Sequence, residues 1–394
     1  MKKYLAMALA AVMLFGATAC SSGSKDTQGS SDNKEEQGTE SDAQGEAGDA
    51  TFTIGFLGPL TGSVASYGLS VKQGAEIAIQ EINEAGGVKA GDTTYTFKMV
   101  AADDEGSEDK AITAYNNLMD QNINVLMGAV TSGPCIAITS QTYADGILQI
   151  TPSGSAIPCT EYDNAFRICF TDPLQGVTMA NFAKDELGLS KVAIIFCNSD
   201  EYSTGMKDAF IEQANEIGLE IVAAEAFNDG DVDFGTQLTT IKATEAEAIF
   251  CPIYYEAAAY LTQQARDMGI ELPFIGGDGW DGVLAQVTDP STVEGAIFLS
   301  PFLASDPKNE SFVSQYEAAY GATPDQFAAD GYDAVYTFKA DLEKAGTTDN
   351  EALIAAMTGI EVQGLTGTFT FTADGEPEKA ANFIVIKDGA YTAY

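Results

Sequence analysis

The sequence predicts an α/β protein with two doubly wound lobes, each built around a mainly parallel sheet. Apolar segments of strand length alternate with segments of helix length, as in repeated βαβ units. This alternation begins at residue 51 and starts again at residue 192. The 394 residues, 45% of them apolar, also suffice for roughly two domains with large cores. We therefore expect two lobes of similar design.

The first set of elements is marked by apolar periodicity. Strands are predicted at 51–58, 95–102, 123–127 and 147–150, where apolar residues run together or alternate. Helices are predicted at 71–85 and 109–121, where apolar residues recur at helical spacing. Gly86 and Gly87 end the first of these helices.

The second set repeats the pattern. Strands are predicted at 192–196, 219–224, 248–251 and 274–275, and helices at 205–217 and 257–268. Strands separated by helices of this length favour parallel pairing within each lobe.

The N-terminus has the features of an export signal. Lys2 and Lys3 precede an apolar run at 4–15, which is too short to span a bilayer. The small residues before Cys20 resemble a bacterial lipobox, so we expect residues 1–19 to be a signal peptide and Cys20 to be lipidated. An ordinary signal peptide with an incidental cysteine is the alternative. Residues 20–50 contain no large apolar side chain after Cys20, which predicts a disordered tether.

Composition excludes several functions. The chain has 58 acidic and 19 basic residues, a formal charge of -39, which excludes a nucleic-acid binder and disfavours an anionic membrane surface. We expect membrane association only through the lipid anchor. Because the chain has no histidine, mechanisms that need an imidazole base or ligand are excluded.

The remaining cysteines match no zinc pattern; Cys159 and Cys169 either form a disulfide or are buried thiols.

Parallel sheets bind ligands beyond the carboxyl ends of their strands. The segments there are 61–67, 131–133, 151–155, 198–202, 254–255 and 276–280. They are rich in hydroxyl groups, glycine and aromatic rings, contain no basic residue, and include one acid within a glycine turn, Asp278. Hydroxyl groups and free N–H groups can hold a carboxylate, whereas a lone acid can pair with an ammonium. This inventory favours a receptor for a zwitterion, namely an amino acid.

The order of several motifs resembles the leucine/isoleucine/valine-type substrate-binding proteins of ATP-driven importers. Matching segments include Gly58-Pro-Leu-Thr-Gly62, Ile150-Thr-Pro-Ser-Gly-Ser155, Phe166-Arg167 and Gly277-Asp278-Gly279. The resemblance implies the type I periplasmic-binding fold, with two lobes joined by three hinge crossings. It places the N-terminal lobe at 51–170 plus 303–362 and the C-terminal lobe at 171–302 plus 363–394.

The resemblance also implies roles for individual residues. Ser132 and Ser155, with the backbone at Ser153, would take the α-carboxylate of the ligand, and Asp278, where the family often has glutamate, would pair with its α-ammonium. The remaining assignments are three tyrosines that close around the ligand and two residues nearer its side chain: Tyr67, Tyr202, Tyr254, Trp280 and Glu256.

The implied function is capture of an amino acid, of branched-chain or related type, and delivery to a permease and ATPase in the membrane. A monomer without cofactor or metal is expected. Alternatives are a ligand sensor on the same fold, or binding of a non-standard small amide or carboxylate. An enzyme is disfavoured because the chain has no histidine and no recognisable Ser-Lys or Cys nucleophile motif.

Overall fold

A computed structural model describes residues 50–379 and 381–394. The predictions for residues 1–49, including the signal peptide, Cys20 and the tether, lie outside the described residues. Within the described part, no helix is long and apolar enough to cross a membrane.

The first lobe begins with six strands and three helices. Their bounds are β1 Ala50–Gly58, α1 Ala65–Glu84, β2 Val88–Ala90, β3 Thr93–Asp103, α2 Glu108–Met119, β4 Val125–Met127, α3 Ser132–Asp145, β5 Gln149–Thr151 and β6 Ala165–Arg167.

The chain then crosses to the second lobe. Its elements are α4 Asp172–Asp185, β7 Lys191–Cys197, α5 Glu201–Ile217, β8 Glu220–Phe227, α6 Gly235–Lys242, β9 Ala248–Cys251, α7 Tyr255–Asp267, β10 Phe274–Gly276 and β11 Ile297–Ser300.

A third segment returns to the first lobe and then completes the second sheet. It comprises α8 Glu310–Tyr320, α9 Gln326–Ala345, α10 Asn350–Ala356, β12 Glu361–Gly364, β13 Gly367–Thr370, β14 Asn382–Lys387 and β15 Ala390–Ala393.

The parallel centres of the two main sheets have the same strand order, β3-β1-β4-β5-β6 in the first and β8-β7-β9-β10-β11 in the second. The first sheet runs β2-β3-β1-β4-β5-β6 and the second β15-β14-β11-β10-β9-β7-β8. The antiparallel pairs of these two sheets lie towards one edge of each, β2 with β3 in the first sheet and β11 with β14 and β14 with β15 in the second. The order reverses beside β1 in the first lobe and beside β7 in the second, and such switch points create a crevice at the strand ends. The two doubly wound lobes of the sequence prediction are therefore present.

Burial explains why the strands are so apolar. Ile54, Phe56 and Leu57 of β1 are fully buried because helices cover both faces of the sheet. Helix α1 packs directly along α9, and this approach requires Gly74 and Gly331, since a Cβ at either position would collide with backbone of the other helix. The returning segment is thus locked onto the first lobe.

The last crossing comes later than the sequence suggested. The backbone N–H groups of Leu365 and Thr366 donate to Asp333 on α9, and the Gly375 carbonyl accepts from the Arg167 N–H on β6. Residues 363–378 consequently pack on the first lobe, and β14 is the first strand back in the second sheet. The boundary at residue 363 is corrected accordingly, because hydrogen bonds, which the sequence does not display, hold this segment.

The five cysteines in the described part all carry free, buried thiols. The disulfide alternative for Cys159 and Cys169 is therefore not observed, and the Cys159 thiol lies beside that of Cys135 instead.

Candidate ligand-binding site

Loops from the carboxyl ends of both sheets meet at a cleft of about 620 Å³. The first lobe contributes residues that follow β1, β3 and β4, and the second lobe contributes residues that follow β7, β8 and β9. Polar residues predicted to bind ligand lie behind this cleft, where the lobes touch. The site therefore has an outer cleft and an inner polar cluster.

The start of α3 supplies hydrogen-bond donors from the first lobe. Thr131 is its N-cap, but its side chain makes no capping bond, and its Oγ1 is buried without a partner among the described residues. The first N–H groups of a helix have no partner within the helix and favour negative charge. Ser132 is buried here, and its Oγ accepts from the Ala156 N–H at 3.2 Å.

The two serines after β5 play different parts. The Ser153 hydroxyl donates to the Val130 carbonyl at 2.7 Å, so this side chain ties the β5 loop to the β4 loop. Its hydroxyl is thereby engaged in the scaffold, and the role predicted for its backbone stays a prediction. The Ser155 Oγ is buried with no hydrogen-bond partner in the described chain. Ser155 is thus the serine whose hydroxyl is available.

An acid that the sequence analysis did not select lies beside Ser155. Asp172 is buried, and both of its carboxylate oxygens lack a partner within residues 50–379 and 381–394. Burial raises its pKa well above the ordinary value, and the nearby charge of Asp278 raises it further. Its position at the start of α4 would suggest a helix cap, but Thr171 caps this helix by accepting from the Leu174 N–H. The carboxylate of Asp172 therefore does not cap the helix and remains without a hydrogen-bond partner in the described chain.

Asp278 forms the acidic pole from the second lobe. Its Oδ1 accepts from Gln175 Nε2 at 3.1 Å, and its backbone N–H donates to Gln175 Oε1 at 2.9 Å. Burial raises the pKa of its carboxyl to about 6, although hydrogen bonds from Gln175 and Tyr202 lower it. No ion pair of the described chain involves Asp278. A cation at this position would stabilise the ionised form of the buried Asp278 carboxyl.

Three tyrosines enclose the inner cluster. The rings of Tyr202 and Tyr254 stack with centroids 4.8 Å apart, and Tyr67 meets Tyr254 edge-on at 5.5 Å. The Tyr202 hydroxyl accepts from the Gly279 N–H at 2.9 Å. Tyr254 also lines the outer cleft.

Direct hydrogen bonds join the lobes at this point. The Tyr67 hydroxyl, from the first lobe, donates to the Gly279 carbonyl at 2.5 Å and accepts from the Tyr255 N–H at 3.1 Å. Gln326 on α9 adds two bonds, in which its N–H donates to Asp281 Oδ2 and its Nε2 donates to the Asp278 carbonyl. The structure is therefore a closed form.

Two predicted side-chain-pocket residues have different positions. Trp280 does not line the cleft: its Nε1 donates to the Cys251 carbonyl at 2.8 Å, and its indole packs in the second-lobe core against Gly276 and Phe274. That assignment is corrected, since glycine at 276 leaves room for the ring beneath the strand. Glu256 lies at the outer cleft, partly buried, where burial and the charge of Asp229 raise its pKa.

Several contributing residues carried little sequence signal. Gln175, on α4, contributes through its two hydrogen bonds with Asp278, which lies far from it in the sequence. Gln326 acts through its backbone N–H and its side-chain amide, and Thr131 has a hydroxyl oxygen without a hydrogen-bond partner. Neither feature can be read from the sequence. Asp172 is followed by a proline, and such a pair is usually explained by a helix start.

Comparisons with known proteins identify the family of the chain. The family model described as periplasmic binding protein matches residues 51–390. A Leu/Ile/Val-binding protein homologue of Brucella melitensis is 30% identical over 331 residues, which cover 83% of this chain and 89% of that protein.

Solved structures show the same similarity. LivJ of Streptococcus pneumoniae, a branched-chain amino acid transporter substrate-binding protein in complex with isoleucine, is 31% identical with a TM-score of 0.80, covering 87% of this chain and 98% of that one. The leucine-binding protein LivK of Thermotoga maritima is 27% identical with a TM-score of 0.81 and the same coverage. The chain belongs to the periplasmic binding protein family, with the type I fold of the Leu/Ile/Val-binding proteins.

Proposed function

We propose that this protein is an extracytoplasmic receptor that closes its lobes over an α-amino acid and delivers it to an ATP-driven importer. The observation that carries the proposal is the pairing of buried acids with unsatisfied hydroxyl groups in one cluster. Asp172 and Asp278 have no cationic partner in an ion pair of the described chain, and Ser155, which lies beside Asp172, has an unpartnered hydroxyl oxygen. A zwitterion satisfies both kinds of group.

In this proposal each pole of the ligand meets a matched surface. Ser132, Ser155 and N–H groups at the start of α3 take the α-carboxylate, together with the backbone at Ser153. Asp278 takes the α-ammonium. Closure removes water from these groups, which strengthens their hydrogen bonds with the ligand.

The names of the relatives support delivery to an importer, since the Streptococcus pneumoniae protein is described as part of a transporter. We propose a permease and an ATPase as membrane partners, a monomeric receptor, and anchoring through a lipid on Cys20. A Cys20→Ala variant should leave the membrane fraction and fail to incorporate labelled fatty acid. Retention of label by that variant would contradict the proposed anchor.

Isothermal titration calorimetry of the protein against the common amino acids tests the main proposal. We expect at least one amino acid to bind, and its α-amide and its deaminated analogue to bind far more weakly, because each loses one charged pole. Absence of binding by any amino acid up to millimolar concentration would contradict the proposal.

A further inference from the structure

A fully buried arginine lies behind the loop that carries Ser155. Arg167 is the last residue of β6 and pairs in register with Thr151 of β5, which brings it next to the start of the loop that follows β5. Its exposed fraction is 0%. A charge removed from water in this way needs several polar partners to be stable. The partners of Arg167 therefore indicate which part of the protein it holds in place.

The guanidinium of this arginine binds the backbone on both sides of Ser155. Its Nη1 donates to the Gly154 carbonyl at 2.8 Å and to the Ala156 carbonyl at 3.1 Å. Its Nη2 donates to the Ile157 carbonyl at 3.3 Å and to Thr160 Oγ1 at 2.9 Å. One planar group thus fixes three carbonyls of the loop at once.

These bonds set the direction of the N–H groups in the loop. In a trans peptide the carbonyl and the following N–H point in opposite directions, and the peptides on either side of Ser155 are trans. Because the Gly154 carbonyl is turned towards Arg167, the Ser155 N–H is turned away from it, and no acceptor for this N–H is found in the described chain. The adjacent Ala156 N–H donates to Ser132 Oγ at 3.2 Å. The loop is thus joined to Ser132, the other serine whose side chain is predicted to take the α-carboxylate.

The guanidinium is itself anchored by the segment that follows β13. Glu376 Oε2 lies 2.8 Å from Arg167 Nε, and Glu376 Oε1 accepts from Thr160 Oγ1 at 2.8 Å. The Gly375 carbonyl accepts from the Arg167 N–H at 3.1 Å. Anchors on both the side chain and the backbone restrict the guanidinium, and through it the loop around Ser155.

We propose that Arg167 is a positioning residue for the α-carboxylate of the bound amino acid. It acts through the loop and not by contact with the amino acid, since it fixes the peptides on both sides of Ser155 and so presents the N–H and the hydroxyl of this serine together. Donors that are ordered before binding hold an anion more tightly, because no ordering has to accompany binding. This inference rests on the proposed function, because it requires Ser155 to take the α-carboxylate.

A double-mutant cycle distinguishes positioning from a merely structural role. Arg167→Lys keeps the positive charge, but a single ammonium cannot reach the three carbonyls and Thr160 Oγ1 together. The probe for calorimetry of the full chain is L-leucine or, where leucine does not bind, the common amino acid that binds most tightly. Arg167→Lys and Ser155→Ala should each weaken binding about tenfold. The double variant should bind at least about threefold better than the product of the two single losses predicts, and a smaller difference would overturn this inference.

Leu342→Ala provides the matched control. Leu342 is fully buried on α9 of the same lobe, about 24 Å along the helix from Gln326, so its truncation destabilises the lobe without touching the loop. In this background Ser155→Ala should weaken binding by the same factor as in the natural protein. A smaller factor would mean that lost stability alone produces the coupling, and would also overturn the inference.

Thr160→Val keeps the proposal testable where Arg167→Lys does not fold. This replacement of similar shape removes one hydrogen bond of the guanidinium and leaves Arg167 in place. It should weaken binding of the same probe at least about threefold in the natural protein, and by less in the Ser155→Ala background. Unchanged binding, or equal weakening in both backgrounds, would overturn this inference and leave the proposed function standing. Failure of every amino acid to bind the natural protein would overturn the proposed function itself, and this inference with it.

Discussion

Replacing Asp278 by asparagine should have opposite effects on stability and on ligand affinity. The shape of the side chain is kept, and an asparagine Oδ1 can still accept from Gln175 Nε2, as the aspartate Oδ1 does at 3.1 Å. The backbone bond to Gln175 Oε1 is unaffected by the substitution. Only the charge is removed.

The effect on stability follows from the raised pKa of Asp278, which is about 6 in the fold against an ordinary 3.8. The folded protein holds its proton more tightly than the unfolded chain, so stability falls as pH rises from about 4 to about 6 and then stays low. A shift of about two units at 1.36 kcal/mol each corresponds to about 3 kcal/mol at neutral pH. Asp278→Asn should therefore raise the free energy of unfolding by up to about 3 kcal/mol at pH 7.5, and by little at pH 4.

Ligand affinity should fall in the same variant. Loss of one partner of a buried charge pair costs about 3–5 kcal/mol. Denaturant unfolding can be followed through Trp280, the single tryptophan of the chain, and affinity by calorimetry with an amino acid that binds the natural protein. A variant that binds as tightly as the natural protein, or that is less stable at pH 7.5, would refute the reasoning.

Further predictions concern pH, closure and the scaffold. Ligand affinity should fall about tenfold per pH unit below pH 6, because protons then compete with the α-ammonium for Asp278, and a flat calorimetric profile from pH 5 to 7 would contradict this. Tyr67→Phe removes both interlobe hydrogen bonds of the hydroxyl, so small-angle scattering should show a larger radius of gyration without ligand; an unchanged radius would count against closure through Tyr67. Ser155→Ala should weaken affinity by about 1–3 kcal/mol with little loss of stability, since the hydroxyl has no partner in the described chain, and an equal loss in both measurements would contradict a binding role. Arg167→Met should lower the free energy of unfolding by about 3–5 kcal/mol, because Glu376 loses its buried partner at 2.8 Å, and a change below about 1 kcal/mol in urea unfolding would refute this.

The repeated strands and helices could be read from the sequence because their apolar periodicity is local. Predicted strands such as 51–58 and 248–251 agree with the observed bounds within one residue. The helix predicted from residue 71 begins at Ala65, since its first turn holds a polar stretch that periodicity does not detect. The third crossing could not be located in this way, because Asp333 holds that segment from α9 through long-range hydrogen bonds.

The candidate site was predictable where residue type and strand-end position agree. Asp278 is an acid in a glycine turn after a strand, and it lies at the inner cluster. Trp280, two residues later, follows the same rule but points into the core, because the choice depends on the space left by Gly276. Asp172 was missed for the converse reason: its proline neighbour indicates a helix start, while the actual cap is Thr171.

The tyrosine hydroxyl that joins the lobes has a consequence for how cargo would be released. Its two bonds link one half of the protein to the other, and Gln326 adds two more bonds between the halves. All four must break before the halves can separate. The rate of cargo release would therefore depend on these bonds between protein groups as well as on the affinity of the site for its cargo.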